Sequence, residues 1–232
     1  MRVADLGWMQ LEAYLERDDR CVLPLGCTEQ HAYLSLATDT TLAERVAVEA
    51  AEPLALPVFP AVPYGVTPYF MAYPGTVTLS LTTYERLLVE VLGSVRRHGF
   101  KRIAIVNGHG GNTPARPAVE AWARRREGVT VRWHDWWKAP RVRAAIDAID
   151  PDASHASWME SFPWTRVVDS DPPRGRKEAV DLSGTTEISP ARWRRLVGDG
   201  SFGGWYERPD DEVLALWQLA VEETRAVLRE GW

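Results

Sequence analysis

Three short polar segments of this 232-residue chain carry side chains that together could hydrolyse a bond with the help of metal ions. The first is Gly26-Cys27-Thr28-Glu29-Gln30-His31, followed by Thr38-Asp39. It places a carboxylate, an imidazole and a second carboxylate within eleven positions. Divalent ions of the zinc, manganese or iron kind favour such mixed oxygen and nitrogen sets. A carboxylate can also bridge two ions, and Asp39 is the natural candidate. The second segment is Asn107-Gly108-His109-Gly110-Gly111-Asn112. Glycines around a histidine let the backbone approach a ligand closely. A glycine-rich loop that opens a helix can instead cradle phosphate, but no lysine with a following serine or threonine stands at P-loop spacing. The third is Ser154-His155-Ala156-Ser157-Trp158-Met159-Glu160. His155 suits proton transfer or carbonyl polarisation, and Glu160 suits a place in a metal shell or the orientation of a water.

Each segment alone is weak, because a histidine near a strand end is more often structural than catalytic. Three of the five histidines nevertheless lie in such segments, beside carboxylates or glycines. The joint pattern points to a metal-dependent hydrolase. His98 reads as a helix C-terminal residue, where a cation is favoured. His134, within His134-Asp135-Trp136-Trp137, fits a pocket wall and ordinary packing equally well.

The elements that must position these residues read as strands alternating with helices. Cys21 to Leu25 is a short apolar run that suits a buried strand, and 54–60 is a second apolar run. Residues 40–51 have helical spacing. Thr82 to Glu85 reads as a capping box before a long helix to His98, with Gly99 as its stop. Arg102 to Asn107 is the clearest strand, β-branched and ending in a glycine-rich turn. Residues 112–126 read as helix, 129–134 as strand, 140–149 as helix, 166–169 as a further strand, and 210–230 as a helix with an acidic first turn. Residues 170–185 read as a loop. This alternation predicts an α/β fold with a mostly parallel sheet and helices on both faces. Ligands then bind outside the carboxyl ends of the strands, where Glu29, His31 and His109 fall. No repeat or second domain is visible, so 1–232 reads as one domain.

Composition narrows the function. Hydrophobic residues make up 45% and charged residues 25%, as in ordinary globular proteins, and the net charge of −5 gives no reason to expect nucleic-acid binding. The arginine runs at 96–97, 124–126 and 192–195 fit helix ends. The two cysteines match no paired-cysteine zinc site. No signal peptide pattern and no apolar run of membrane-spanning length is seen, so a cytoplasmic protein without a membrane partner is expected.

These segments resemble the creatininase family of metal-dependent amidohydrolases. The likeness runs over roughly residues 5–165 through 24–31, Pro63-Tyr64-Gly65, Tyr73-Pro74-Gly75-Thr76 and 106–112 to His155 and Glu160. It implies a three-layer α/β/α fold, often assembled as a hexamer, with two metal sites bridged by an aspartate. By position it implies Glu29, His31, Asp39 and His109 as ligands, His155 as a catalytic residue, and Glu160 at the metal centre. The chain departs from the family pattern at Ala32, where a glycine is common, and at Leu34, where a second histidine is common. Gly111 stands where creatininase proper has a glutamate ligand, and Pro151 where it has a tryptophan. These departures point away from creatinine as substrate and make Glu160 the replacement ligand.

The expected reaction is hydrolysis of a C–N amide bond by a metal-bound water, with one or two Zn, Mn or Fe ions. A cyclic amide, a formamide or a small peptide-like molecule is the expected substrate. A formylamino-pyrimidine nucleotide deformylase is an alternative that needs a phosphate site, for which Arg174 or Arg176 is available. A non-catalytic metal-stabilised binding or assembly protein is a rival of another class. Trp136, Trp137 and Trp158 are candidates for the substrate side.

Overall fold

The computed structural model describes residues 1–185, 188–230 and 232. Three parallel strands, β1 (Arg20–Leu25), β2 (Arg102–Asn107) and β3 (Thr130–Asp135), lie side by side in that order. Leu25 pairs with Asn107, and Asn107 with Asp135, so the three strands end level. Every residue of β1 after Arg20 and of β2 after Arg102 is buried. Such runs are apolar throughout because both faces of a parallel sheet are covered.

The helices form two groups with the sheet between them. In one, α2 (Thr38–Ala51) packs on β1 and on the C-terminal helix Asp210–Arg229, which also packs on the helix Pro140–Ile149. In the other, α3 (Leu81–Arg97) packs against α4 (Arg116–Arg124), which lies on β3. We number the remaining helices α1 (Trp8–Leu15), α5 (Pro140–Ile149), α6 (Pro190–Val197) and α7 (Asp210–Arg229). The result is the expected α/β arrangement around a mostly parallel sheet. Buried apolar residues from Tyr14 to Leu228 form a single cluster. Four of the eleven tryptophans are in it, and others pack against it: Trp136, Trp164 and Trp217 meet Phe162 edge-on or stacked. Among the described residues no helix is long and apolar enough to cross a membrane.

Several sequence expectations are corrected. The run at 54–60 is not a regular strand; Val58 makes single parallel bridges to Val22 and to Arg2. Pro57 and Pro60 have no N–H to donate, which interrupts the ladder. The cap of α3 is Ser80, whose hydroxyl accepts from the Thr83 N–H at 3.2 Å, not Thr82. The helix expected from 112 starts as a 3₁₀ turn, Gly110–Ala115, because Pro114 and Pro117 withhold N–H donors, and α4 begins only at Arg116. Residues 166–169 form no strand: Arg166 makes one bridge to Leu34, and Val168 is 85% exposed with no strand partner among the described residues. Within the expected loop at 170–185, β4 (Arg176–Lys177) pairs antiparallel with β5 (Gly204–Trp205).

Candidate metal centre

Two close approaches bring the first two polar segments together. A Cβ on Gly26, just past β1, would lie 2.4 Å from the Cα of Thr40. A Cβ on Gly108, just past β2, would lie 2.4 Å from the carbonyl oxygen of Asp39. Only glycine lets both strand ends abut the first turn of α2, and Asp39 sits on that turn. Glu29, His31 and His109 follow the same strand ends and so surround it. His155 and Glu160 arrive from the loop and short 3₁₀ turn that follow α5.

Asp39 stands between two imidazoles. Its Oδ1 is 3.0 Å from His31 Nε2 and its Oδ2 is 3.0 Å from His109 Nδ1. Glu29 Oε1 lies 3.3 Å from the same His109 nitrogen, and Glu160 Oε2 lies 3.9 Å from His31 Nε2. All five residues are buried. The far nitrogens settle the tautomers. His31 Nδ1 meets the Glu29 carbonyl oxygen at 3.2 Å, and His109 Nε2 meets the Val66 carbonyl oxygen at 3.1 Å. A carbonyl only accepts, so each of these nitrogens donates. In the neutral rings the inward nitrogens carry lone pairs aimed at carboxylate oxygens, the orientation that outer hydrogen bonds impose on metal-binding histidines. Without an ion, His31 Nε2 carries a proton and donates to Asp39 Oδ1 at 3.0 Å.

Lone pairs facing lone pairs repel unless a cation lies between them. Glu29 Oε1 and Asp39 Oδ2 are buried and have no hydrogen-bond partner, an expensive state for ionised oxygens. The donor set therefore fits divalent ions: Glu29, Asp39 and His109 could hold one, and His31, Asp39 and Glu160, or Glu29, His31 and His155, could hold another. Without ions, protons take up part of the role. Burial works against charge on His31, but Asp39, then Glu160 and Glu29, outweigh it and push its imidazole up to about 10. His109 is raised as well, burial being overcome by Glu29 and Asp39. Burial lifts Glu160 up to about 7, with His31 opposing. Asp39 and Glu29 are held below the usual carboxylate range by the histidines, against the cost of burial.

His155 has a different setting. Its ring stacks on Phe70 at 4.8 Å and leans on Phe202 at 4.9 Å and on His31 at 4.4 Å. Nδ1 points to Glu29 Oε1 at 3.6 Å, while Nε2 meets the backbone carbonyl of Gln30 at 3.0 Å. Burial, then the neighbouring His31, pushes its pKa down to about 3, so the ring is neutral near pH 7. Ala32, at the position where the family pattern has glycine, adopts a left-handed φ of 50°, and its N–H donates to Gln30 Oε1 at 3.0 Å.

A cavity of about 240 Å³ opens over these donors. Its walls include Tyr69, Phe70, Trp137, Met159 and Phe202, with Arg143 beside them. Of the three tryptophans considered for the substrate side, only Trp137 lines it; Trp136 and Trp158 are fully buried in the core. His134 is also packed inside, with Nε2 3.0 Å from Thr224 Oγ1. Arg176 is taken by Asp150 at 2.6 Å and by Asp152, and neither it nor Arg174 is among the cavity residues, which removes the phosphate site considered for them. Tyr69, Phe70, Arg143 and Phe202 were not legible as site residues. The only hint was that Tyr69 and Phe70 lie between the two family segments at 63–65 and 73–76.

The chain is similar to known proteins. The family model described as "Creatininase: Creatinine amidohydrolase" matches residues 4–228. A mycofactocin precursor peptide peptidase from Mycolicibacterium smegmatis is 40% identical over 141 residues, covering 58% of this chain and 53% of that protein. A 3-dehydro-scyllo-inosose hydrolase from Thermotoga maritima is 26% identical over 214 residues, covering 82% of this chain and 67% of that protein. The chain thus spans about half the length of the first of these relatives. A solved manganese creatininase superposes with a TM-score of 0.80 at 20% identity, over 98% of this chain and 97% of the other, which shows a shared fold. With nearly its whole length matched and the fold in common, the chain belongs to the creatininase family.

Proposed function

We propose that this chain hydrolyses a C–N amide bond in a small, peptide-like or cyclic substrate, working with two divalent ions of the Zn, Mn or Fe kind. The observation that carries the reading is the pair of buried, unpartnered carboxylate oxygens, Glu29 Oε1 and Asp39 Oδ2, in a cluster of imidazoles and carboxylates centred on Asp39 beneath an open cavity. Ions there supply Lewis acidity for a carbonyl and make water acidic enough to attack near neutral pH. Glu29, His31, Asp39, His109 and Glu160 hold them. The names of the relatives support a hydrolase, one of them acting on a peptide.

The other residues define what happens above the ions. Aromatic walls from Tyr69, Phe70, Trp137 and Phe202 shed water and offer faces for a flat amide or ring. His155 is neutral near pH 7 and lies at the edge of the donor set, so it can take a proton from the attacking water and pass it to the departing nitrogen. Phe70 and Phe202 clamp its ring, which fixes where that proton travels. Glu160, raised by burial, completes the shell of the second ion and can share in proton transfer.

His109→Ala and His155→Ala separate these roles. His109→Ala should lose bound metal and activity together. His155→Ala should keep its metal and lose turnover of amide substrates by about 10²-fold or more. Unchanged metal content and activity in His109→Ala would defeat the reading, as would full activity in His155→Ala.

A further inference from the structure

We propose that Cys27 supplies a thiolate to the ion held by Glu29, Asp39 and His109, making that half of the centre a site for borderline-soft divalent metals. The inference rests on the metal reading above and adds a sulfur donor to it.

Cys27 follows Gly26 at the end of β1 and is fully buried. Thr40 Oγ1 donates to its carbonyl oxygen at 3.1 Å, which fastens it to the first turn of α2 beside Asp39. A free buried cysteine ordinarily packs as a small hydrophobe, as Cys21 does among the apolar residues of the core. Cys27 instead faces polar groups. Its Sγ is 3.8 Å from Glu29 Oε2. Sγ and one donor atom each of Glu29, Asp39 and His109 all lie within 4.8 Å of one another. Two carboxylate oxygens of the same group, Glu29 Oε1 and Asp39 Oδ2, are buried without partners. They mark where positive charge is missing.

Four donors of this kind make a tetrahedral set. With bonds of about 2.3 Å to sulfur and about 2.0–2.1 Å to oxygen or nitrogen, donors stand roughly 3.3–3.6 Å apart. Small side-chain rotations would draw the present cluster to that spacing. The direction of approach also fits. Cys27 is absent from the cavity wall, whereas Glu29, Asp39 and His109 are part of it. The sulfur therefore comes from the protein side, and a water or substrate atom would enter from the cavity face as a fifth ligand. The other half of the centre, His31, Asp39 and Glu160, has no cysteine among its donors. The two halves thus differ in softness, the first favouring zinc, iron(II) or cobalt(II) and the second accepting manganese. Binding exchanges the thiol proton for the ion; the proton leaves to solvent and no oxidation state changes.

X-ray absorption on the zinc-loaded wild-type protein reads the sulfur directly and needs no variant. A sulfur scatterer at about 2.3 Å is expected. Cobalt(II) loading should give a thiolate-to-metal charge-transfer band in the near ultraviolet, which Cys27→Ser and Cys27→Ala lose and Cys21→Ser keeps. The preference for zinc over manganese at this half should narrow by about tenfold or more in Cys27→Ser. Stoichiometric metal with oxygen and nitrogen scatterers alone, and cobalt spectra unchanged in Cys27→Ser, would overturn the thiolate while leaving the metal reading intact. Failure of the wild-type protein to bind any ion would overturn both.

Discussion

Raising the pH while titrating metal into the chelator-stripped protein sets protons against ions at the same lone pairs. His31 in the metal-free chain has a pKa of about 10, so at pH 7 its Nε2 carries a proton that any ion must displace. The gap of about three units means that the free lone pair is present in roughly one molecule in 10³. The apparent affinity of that half is then lowered by about 10³-fold, or about 4 kcal/mol. Each unit of pH above 7 should recover about a factor of ten. Below pH 7 the dependence should steepen, because Glu160, with a pKa of about 7, then carries a proton as well. The other half should release a proton from His109, which is also raised, and, with Cys27 as a ligand, the thiol proton that burial holds on it, but none from Glu29 or Asp39, whose carboxyls are already ionised. Calorimetry between pH 6 and 8.5, in buffers of different ionisation enthalpy, counts the protons directly. Affinity independent of pH, with no proton release, would refute the assignment of His31 and His109 as ligands.

Asp39→Asn removes one of the two oxygens shared between the imidazoles, and metal content should fall from two ions to one or none, with activity down by about 10²-fold or more; elemental analysis and amide turnover check it. Gly108→Ala puts a methyl 2.4 Å from the Asp39 carbonyl oxygen, so the β2 end must move and metal affinity should drop by about 10–100-fold, read by competition with a chelating dye. The chelated protein should lose thermal stability between pH 7 and 10. His31 is raised from 6.5 to about 10, so its contribution is complete below pH 6.5 and is lost as pH rises through 10; Glu160, raised from 4.5 to about 7, loses its contribution through 7. His155, lowered from 6.5 to about 3, contributes fully above 6.5 and so does not offset this loss. A flat or rising melting temperature over that range, by scanning fluorimetry with chelator, would contradict the pairing. Ala32→Gly relieves a left-handed alanine and should stabilise the chain by up to about 1 kcal/mol in urea unfolding.

The strands and long helices were readable because their signals are local. Arg102 to Asn107 is a buried β-branched run that is buried wherever it is placed in a parallel sheet, and α5 begins and ends as its proline and its apolar spacing require. What failed was decided by groups outside the segment. Whether 54–60 or 166–169 becomes a strand depends on a neighbour that can complete a ladder, and proline at 57 and 60 or open solvent at Val168 prevents it. Trp136 and Trp137 are identical in type and adjacent, yet one is core and the other cavity wall, because successive side chains there point in different directions.

The ligand candidates themselves were set by residue type and by position at strand ends, since chemistry of this kind needs carboxylates and imidazoles and a parallel sheet presents them at one edge. Their division into two halves around Asp39 was not. It depends on which ring nitrogen faces inward, and that is set by the carbonyls of Glu29 and Val66, the second far away in the chain. The same holds for Cys27, whose neighbours at 39 and 109 become its neighbours only when two glycines let β1 and β2 press on α2. Sequence therefore offered the carboxylates and imidazoles of a candidate centre. Tertiary structure decided how its lone pairs converge, because convergence is a property of distances between segments and no single segment contains it.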